Sequence, residues 1–265
     1  MEWNGIKLMK VLVFIMAIAM MMVLVGCGSN EGTDDSSDTD SYLAITEPTF
    51  APFDTTDEDG NCIGFDMDLM DAIGEDQGFT VEYKALEFDA LIPALETGQA
   101  DMITAGMNAM DPARQAKVDF SQTYYDSGLV VLVNDDNETI NGIEDLTADM
   151  KVASQIGTTG ADEVLELYEE GSIEEAVILN GFNTAVLQLQ NGDIDAIIID
   201  LPVANDFIKK QPGKLKTVGE VLNAESYGFA VQKGDEELLD KINTGLNNVI
   251  DNGTYDELYT KWFEN

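Results

Sequence analysis

Residues 88–106 read FDALIPALETGQADMITAG and residues 182–200 read FNTAVLQLQNGDIDAIIID, one pattern written twice. In each copy a phenylalanine opens an apolar helix, carried by Leu91 and Leu95 in the first and by Leu187 and Leu189 in the second. A glycine ends that helix (Gly98, Gly192), and an aspartate (Asp101, Asp195) introduces an apolar strand. A helix feeding a strand in this way is a βαβ step of a parallel sheet. Two such steps imply two lobes, an α/β architecture in which each lobe is a mostly parallel sheet flanked by helices. The pattern sets Gly106 opposite Asp200, each where its strand is expected to end, and open α/β sheets bind ligands beyond those carboxyl ends. With the lobes face to face, the loop after Gly106 and the side chain of Asp200 look into one cleft.

That loop carries the only arginine of the 265 residues, Arg114, in the stretch GMNAMDPARQAKVDFS. A guanidinium presents a planar fork that fits a carboxylate through two parallel hydrogen bonds and keeps its charge when dehydrated, which an ammonium does poorly. Arg114 is therefore read as an anion clamp, set against the alternative of a surface arginine on the short helix that Asp111-Pro112 begins.

Composition narrows the function classes. Lys+Arg 13 against Asp+Glu 51 gives a net charge of −38, so nucleic acid and anionic lipid surfaces, which need clustered cationic charge, are poor partners. With no histidine, a His-based triad and a His-ligated zinc site are impossible. No metal ligand set and no cofactor motif is expected. An apolar share of 45% is that of a folded globular chain.

Lys7 and Lys10 precede an apolar run over residues 11–25 and then Gly26-Cys27. This run has the length of a signal-peptide core and falls short of the roughly 20 residues that span a bilayer, though a membrane anchor stays open as the other reading. Leu24-Val25-Gly26-Cys27 resembles the bacterial lipobox, which implies removal of residues 1–26 and lipid on Cys27. Cys62 is then left as a small apolar residue near a turn, without a disulfide partner. Residues 28–41 hold acids, no base and no large apolar side chain, so a disordered tether is expected over 27–41.

Residues 42–45 read as a short buried strand, followed by a segment that Pro48 and Pro52 break, with Phe50 and Phe53 beside them. DTTDEDGNCIGFD (residues 54–66) approaches a calcium loop but has Thr55 in its first place and no closing glutamate. A hairpin turning at Asp59-Gly60 suits it better. A helix follows from Gly64-Phe65-Asp66, with Met67, Leu69, Met70 and Ile73 on its apolar face and Gly74 or Gly78 at its end. Residues 124–133 are a strand long enough to cross between lobes, and residues 227–231 return the chain, so two extended crossings form the hinge. Residues 154–160, SQIGTTG, make a loop that caps a helix expected over 161–168, a place where amides and hydroxyls meet anions. Leu238, Leu239, Ile242, Leu246, Val249 and Ile250 lie on one helical face, and Trp262-Phe263 close the chain as packing residues.

The motifs GFDMDLMDAI, FDALIPALETGQADMITAGM, R-x3-VDFS-x2-YYDSG, GTTG, GDIDAIIID and NGTYDELYTKWF, in that order, resemble the family-3 solute-binding proteins of polar amino-acid ABC importers. The resemblance implies the two-lobed periplasmic-binding-protein-like type II fold with a two-strand hinge. It places lobe 1 at 42–130 and 228–265 and lobe 2 at 131–227. It implies that Arg114 clamps the ligand α-carboxylate, with backbone near Gly106, the side chain of Asn108, the amide and hydroxyl of Thr159, and Gln155 in the same loop contributing. Asp200 takes the α-ammonium, Phe50 and Phe88 sandwich the ligand side chain, and Glu47 lies where an amide or cationic tip is read. One departure is visible: the run from Met107 to Arg114 is one residue longer than the commonest spacing.

The function implied is a non-enzymatic receptor that closes on a free, polar, neutral or cationic L-amino acid. It would be a monomer, lipid-anchored outside the cytoplasm, and would deliver its cargo to a membrane permease. Two other readings share the scaffold, a cyclohexadienyl (prephenate or arogenate) dehydratase and a ligand sensor for a signalling partner.

Overall fold

The computed structural model describes residues 40–264. The expected signal peptide, Cys27 and nearly all of the expected tether lie outside the described residues.

In chain order the elements are β1 (Asp40–Thr46), β2 (Thr55–Thr56), β3 (Cys62–Ile63), α1 (Phe65–Gln77), β4 (Phe79–Ala85), α2 (Phe88–Glu96), β5 (Met102–Ile103), α3 (Pro112–Gln115), β6 (Val118–Phe120), β7 (Tyr125–Ser127) and β8 (Leu129–Asn134). They continue with β9 (Lys151–Gln155), α4 (Thr159–Glu169), β10 (Glu175–Leu179), α5 (Phe182–Asn191), β11 (Ala196–Asp200), α6 (Leu201–Lys210) and β12 (Leu215–Val218). The last are β13 (Glu225–Tyr227), β14 (Ala230–Gln232), α7 (Glu236–Asp251), α8 (Thr254–Tyr259) and a π-helical turn, Thr260–Glu264.

Two five-stranded sheets share one plan. The first runs β4-β1-β5-β14-β6 and the second β10-β9-β11-β8-β12. In each, three strands are parallel and the fourth and fifth pair antiparallel. The fourth strand of each plan, β14 or β8, which is antiparallel to both its neighbours, is the one that follows a crossing. The crossings themselves, β7 and β13, pair antiparallel from Tyr125–Tyr227 to Ser127–Glu225. The expected mostly parallel lobes and two-strand hinge are therefore what the chain builds. Leu129 and Val130 already pair with Asp200 and Ile199 in the second sheet, two residues earlier than the expected boundary.

The repeated sequence does the same structural work twice. The Asp101 carboxylate accepts the Leu43 amide at 2.7 Å while its own amide donates to the Leu43 carbonyl at 2.9 Å. Asp195 does the same with Lys151, at 2.7 and 2.9 Å. Each aspartate thus pins the start of its strand to the start of the neighbouring parallel strand. Gly98 and Gly192, with φ of 71° and 76°, turn the chain out of the preceding helix in a conformation that costs glycine little.

Strands alternate between two buried faces, as sheets covered by helices on both sides require. In β8, Leu129, Val131 and Val133 face one apolar cluster while Val130 and Leu132 face another. In β11, Ile198 faces the first of these clusters while Ile197 and Ile199 face the second. One of these clusters runs through both lobes, since Phe50 packs on Phe182 with ring centroids 6.1 Å apart and Phe53 lies edge-on to Tyr125 and Tyr227.

Several expectations shift in detail. Asp40 and Ser41, read as tether, pair with Phe79 and Thr80 and belong to β1, because an added strand satisfies their backbone groups. The helix expected over 161–168 starts earlier, at Thr159, because Thr158 supplies the cap by accepting the Ala161 amide. Leu187 and Ile250 are 58% and 45% exposed, on the outer sides of α5 and α7, whereas Phe182, Ala185, Val186 and Leu189 are the buried face of α5. The hairpin is as expected: Thr55–Thr56 pairs with Cys62–Ile63, and Asp57 accepts the amides of Asp59 and Asn61 within the turn.

Candidate ligand-binding site

Arg114 is 7% exposed, on the one-turn helix α3 that Asp111 caps by accepting the Ala113 amide. Its guanidinium is held on every side. Nε lies 3.3 Å from Asp111 Oδ2, Nη1 donates to the Asn108 carbonyl at 3.4 Å, and Nη2 donates to the Gly157 carbonyl at 3.1 Å. Phe88 lies beneath, its ring centroid 5.4 Å from Cζ. Of the five N–H bonds of a guanidinium these contacts use three, leaving one on each Nη, which is the pair a carboxylate fits. The Gly157 contact joins an arginine beside the first sheet to a loop of the second, so the two lobes are drawn together here.

That loop is shaped by Thr158, whose hydroxyl donates to the Gln155 carbonyl at 2.7 Å and accepts the Ala161 amide at 3.1 Å. Gly160 lets α4 lie close on the sheet, since a Cβ there would come 3.0 Å from the Ile198 carbonyl oxygen and 2.8 Å from Ser154 Oγ. The first amides of α4 have no intrahelical acceptor and add partial positive charge on the same side as Arg114.

Asp200 ends β11, preceded by four buried residues and followed directly by α6. It is 4% exposed, and the Tyr227 hydroxyl donates to its Oδ1. Burial raises its carboxyl well above the usual carboxylate range, the neighbouring Glu225 carboxyl adds to the rise, and the Tyr227 hydroxyl and Arg114 oppose it. Asp200 also helps hold Arg114 charged against the burial that would lower its pKa.

At the other end, Glu47 follows β1 and is 5% exposed. Its Oε2 accepts from Gln155 Nε2 at 3.0 Å and from Thr49 Oγ1 at 2.9 Å. Burial raises its pKa, with those hydrogen bonds pulling it back. Gln155 Nε2 also donates to the Asn180 carbonyl, while its Oε1 is buried with no partner among the described residues. Phe50, 6% exposed, packs between Phe53, Phe182 and Tyr227. The structure therefore gathers Arg114, Phe88, Asn108, Gln155 and Thr159 about one loop, with Glu47, Phe50 and Asp200 bordering it.

Three expected contacts are occupied by the protein. The Gly106 amide donates to Asp66 Oδ2 at 2.8 Å and so is committed to the interior, and Gly106 lies three residues past the end of β5, unlike Asp200, which ends β11. Asn108 Oδ1 accepts the amides of Met110 at 3.0 Å and Ser226 at 3.4 Å, tying down the extra residue of this loop, and Met110 is turned out, 58% exposed. Thr159 Oγ1 donates at 2.6 Å to Glu225 Oε1, a residue the sequence reading did not single out. Glu225 is 2% exposed, opens β13 at the hinge, and leaves its Oε2 without a partner among the described residues. One glutamate among 51 acids in a turn-rich stretch carries no local signal of that burial.

Residues 43–265 match the model of the bacterial extracellular solute-binding proteins, family 3. The chain belongs to that family. A probable histidine-binding protein of Neisseria gonorrhoeae is 34% identical over 225 residues, 84% of this chain and 82% of that protein. A putative ABC transporter arginine-binding protein 2 of Escherichia coli K12 is 33% identical over 224 residues, 83% of this chain and 89% of its own length. Among solved structures, an ancestral arginine-binding protein bound to arginine is 39% identical with a TM-score of 0.79, covering 84% of this chain and 98% of that one. Membership accounts for the repeated βαβ pattern and for the two sheets joined by β7 and β13.

Proposed function

We propose that this protein is the substrate-binding component of an amino-acid ABC importer and that its cargo is a free L-amino acid with a cationic side chain. The observation that carries the reading is the loop of residues 155–159, which touches a guanidinium at one end and a carboxylate at the other. Gly157 meets Arg114, and Gln155 meets Glu47. A zwitterion with a donor-bearing tail has matching groups: its carboxylate for the two remaining Arg114 N–H bonds, its ammonium for Asp200, and its tail for acceptors at the far end. Glu47 and the unpartnered Oε1 of Gln155 are both acceptors, which favours N–H donors over a carboxylate there. Histidine and arginine in the names of the relatives agree with this choice. Phe50 and Phe88 supply apolar walls for the stem of such a side chain.

In this reading the lobes are residues 40–128 with 228–265, and 129–227, rotating about β7 and β13. The protein performs no chemistry of its own. It acts as a monomer outside the cytoplasm, held to the membrane by lipid on Cys27, and hands its ligand to a permease. A thermal shift of the purified protein against the twenty amino acids and cystine tests the cargo, since a ligand at one hundred times its dissociation constant adds about 2.7 kcal/mol of stability. L-arginine or L-lysine should give the largest shifts. A response confined to glutamate and aspartate would overturn the assignment of the far end.

A further inference from the structure

Glu47, Gln155, Asn180, Gly181 and Thr49 form a closed ring across the two lobes. Glu47 and Thr49 follow β1 of the first sheet, whereas Gln155 ends β9 and Asn180-Gly181 links β10 to α5 in the second. Glu47 Oε2 accepts from Thr49 Oγ1 at 2.9 Å and from Gln155 Nε2 at 3.0 Å, and the same Nε2 donates to the Asn180 carbonyl at 3.0 Å. The ring closes sterically at Gly181. A Cβ there would lie 3.0 Å from Thr49 Oγ1 and 3.7 Å from Thr49 Cβ and Cγ2. The first distance is inside ordinary van der Waals separation, and Thr49 could yield only by giving up its bond to Glu47.

Local conformation does not ask for glycine at this position. Gly181 has φ of −161° and ψ of 152°, extended backbone open to any residue. It is the N-cap of α5 and offers the helix no side-chain oxygen, where serine, asparagine or aspartate would cap better. What stands opposite explains the missing side chain. Gly157 makes a similar approach at the arginine end, where a Cβ would come 3.1 Å from Asp89 Cα of α2, though its φ of 78° requires glycine on its own account.

We propose that Gly181 is a positioning residue for lobe closure: the absence of a side chain at 181 lets Thr49 of the first lobe seat against the second, and that seating brings Gln155 to Glu47 around the tail of the ligand. A side chain at 181 holds this edge of the cleft ajar and weakens binding through the lobes rather than through the ligand.

The inference rests on the amino-acid reading, and its test tells the two apart. Calorimetry and stopped-flow dissociation are measured for the natural protein, Gly181→Ala, Thr49→Ala and the double variant, with L-arginine or, where the thermal-shift panel ranks another amino acid first, with that one. Gly181→Ala should bind about 5- to 30-fold more weakly, nearly all of it as faster dissociation. Thr49→Ala removes the opposing Oγ1 and Cγ2 and leaves 3.7 Å between the β-carbons. In that background the change at 181 should cost less than about twofold. Alanine is a poorer N-cap than glycine, a cost that shows in the melting curve of the ligand-free protein and is the same in both backgrounds, so the cycle cancels it. Equal losses in the two backgrounds, or none in Gly181→Ala, would overturn the inference and leave the cargo reading intact. Should Gly181→Ala fail to fold, Thr49→Val and Thr49→Ile put the question from the opposite wall: both lose the hydroxyl and only isoleucine reaches further, so isoleucine should bind more weakly and equal affinities would overturn the inference. Failure of every amino acid in the panel to bind would overturn both.

Discussion

Glu47 Oε2 and Gln155 Nε2 stand 3.0 Å apart, joining the end of the first strand of one sheet to the end of the first parallel strand of the other. The bond is buried, and a carboxylate is its acceptor, so it survives dehydration best when a further donor shares the charge. Glu47→Gln should lower affinity for L-arginine by about 10- to 100-fold, the worth of one or two hydrogen bonds to a charged group. Affinity for L-glutamine should fall much less. Calorimetry with both ligands decides the matter, and equal losses would show that Glu47 does not read charge.

Arg114→Ala should cost about 2–5 kcal/mol of binding, roughly thirty-fold to several thousand-fold, because the ligand carboxylate would be left buried without a partner. The fold should persist, since Asp111 keeps its capping bond to the Ala113 amide. Arg114→Lys should recover little, as a point charge cannot reproduce the fork. Isothermal titration alongside a melting curve checks all three statements, and an unchanged affinity in Arg114→Ala would remove the clamp.

Acid should stabilise the protein between neutrality and about pH 4–5 through its buried carboxyl groups. Asp66, wholly buried, accepts the Gly106 amide at 2.8 Å and the Tyr124 hydroxyl at 2.7 Å, yet burial pushes its pKa up to about 7. Between the unfolded value near 4 and about 7 the folded protein holds a proton that the unfolded chain has lost, so stability falls as pH rises through that window. The contribution is at most about 4 kcal/mol. Urea unfolding of the natural protein and of Asp66→Asn from pH 4.5 to 7.5 measures it. The variant should show a flatter profile, and parallel profiles would place the proton elsewhere.

Asp101 and Asp195 should behave as a matched pair in stability. Replacing either with alanine removes one carboxylate acceptor from a strand-starting amide, at Leu43 or Lys151, for a loss of about 1–2 kcal/mol. Asp195 is the more exposed and should lie at the lower end. Ligand affinity should be unaffected in both, because neither carboxylate reaches the cleft. Denaturant titration would contradict the equivalence if one variant unfolded outright and the other did not change.

These two aspartates also mark how far the chain could be read unaided. Helix–glycine–aspartate–strand is a local pattern, and each step depends on residues a few positions apart, so its repetition by itself implies two lobes. Arg114 stood out by being unique, and Asp200 by its place at a strand end. The same local reasoning misassigned Leu187 and Ile250, because periodicity gives a helix an apolar side but not the width of the surface that covers it.

What the sequence by itself determined is the order of elements, the paired sheets, the crossings and the lone guanidinium, all of which follow from near-neighbour periodicity and residue chemistry. Tertiary structure alone decided which acids matter. The 51 Asp and Glu side chains are alike in a string of letters, and only long-range packing strips water from Glu47, Asp54, Asp66, Asp200 and Glu225 among the described residues. Desolvation is a property of everything brought near a group, and residues from distant parts of the chain bring it there.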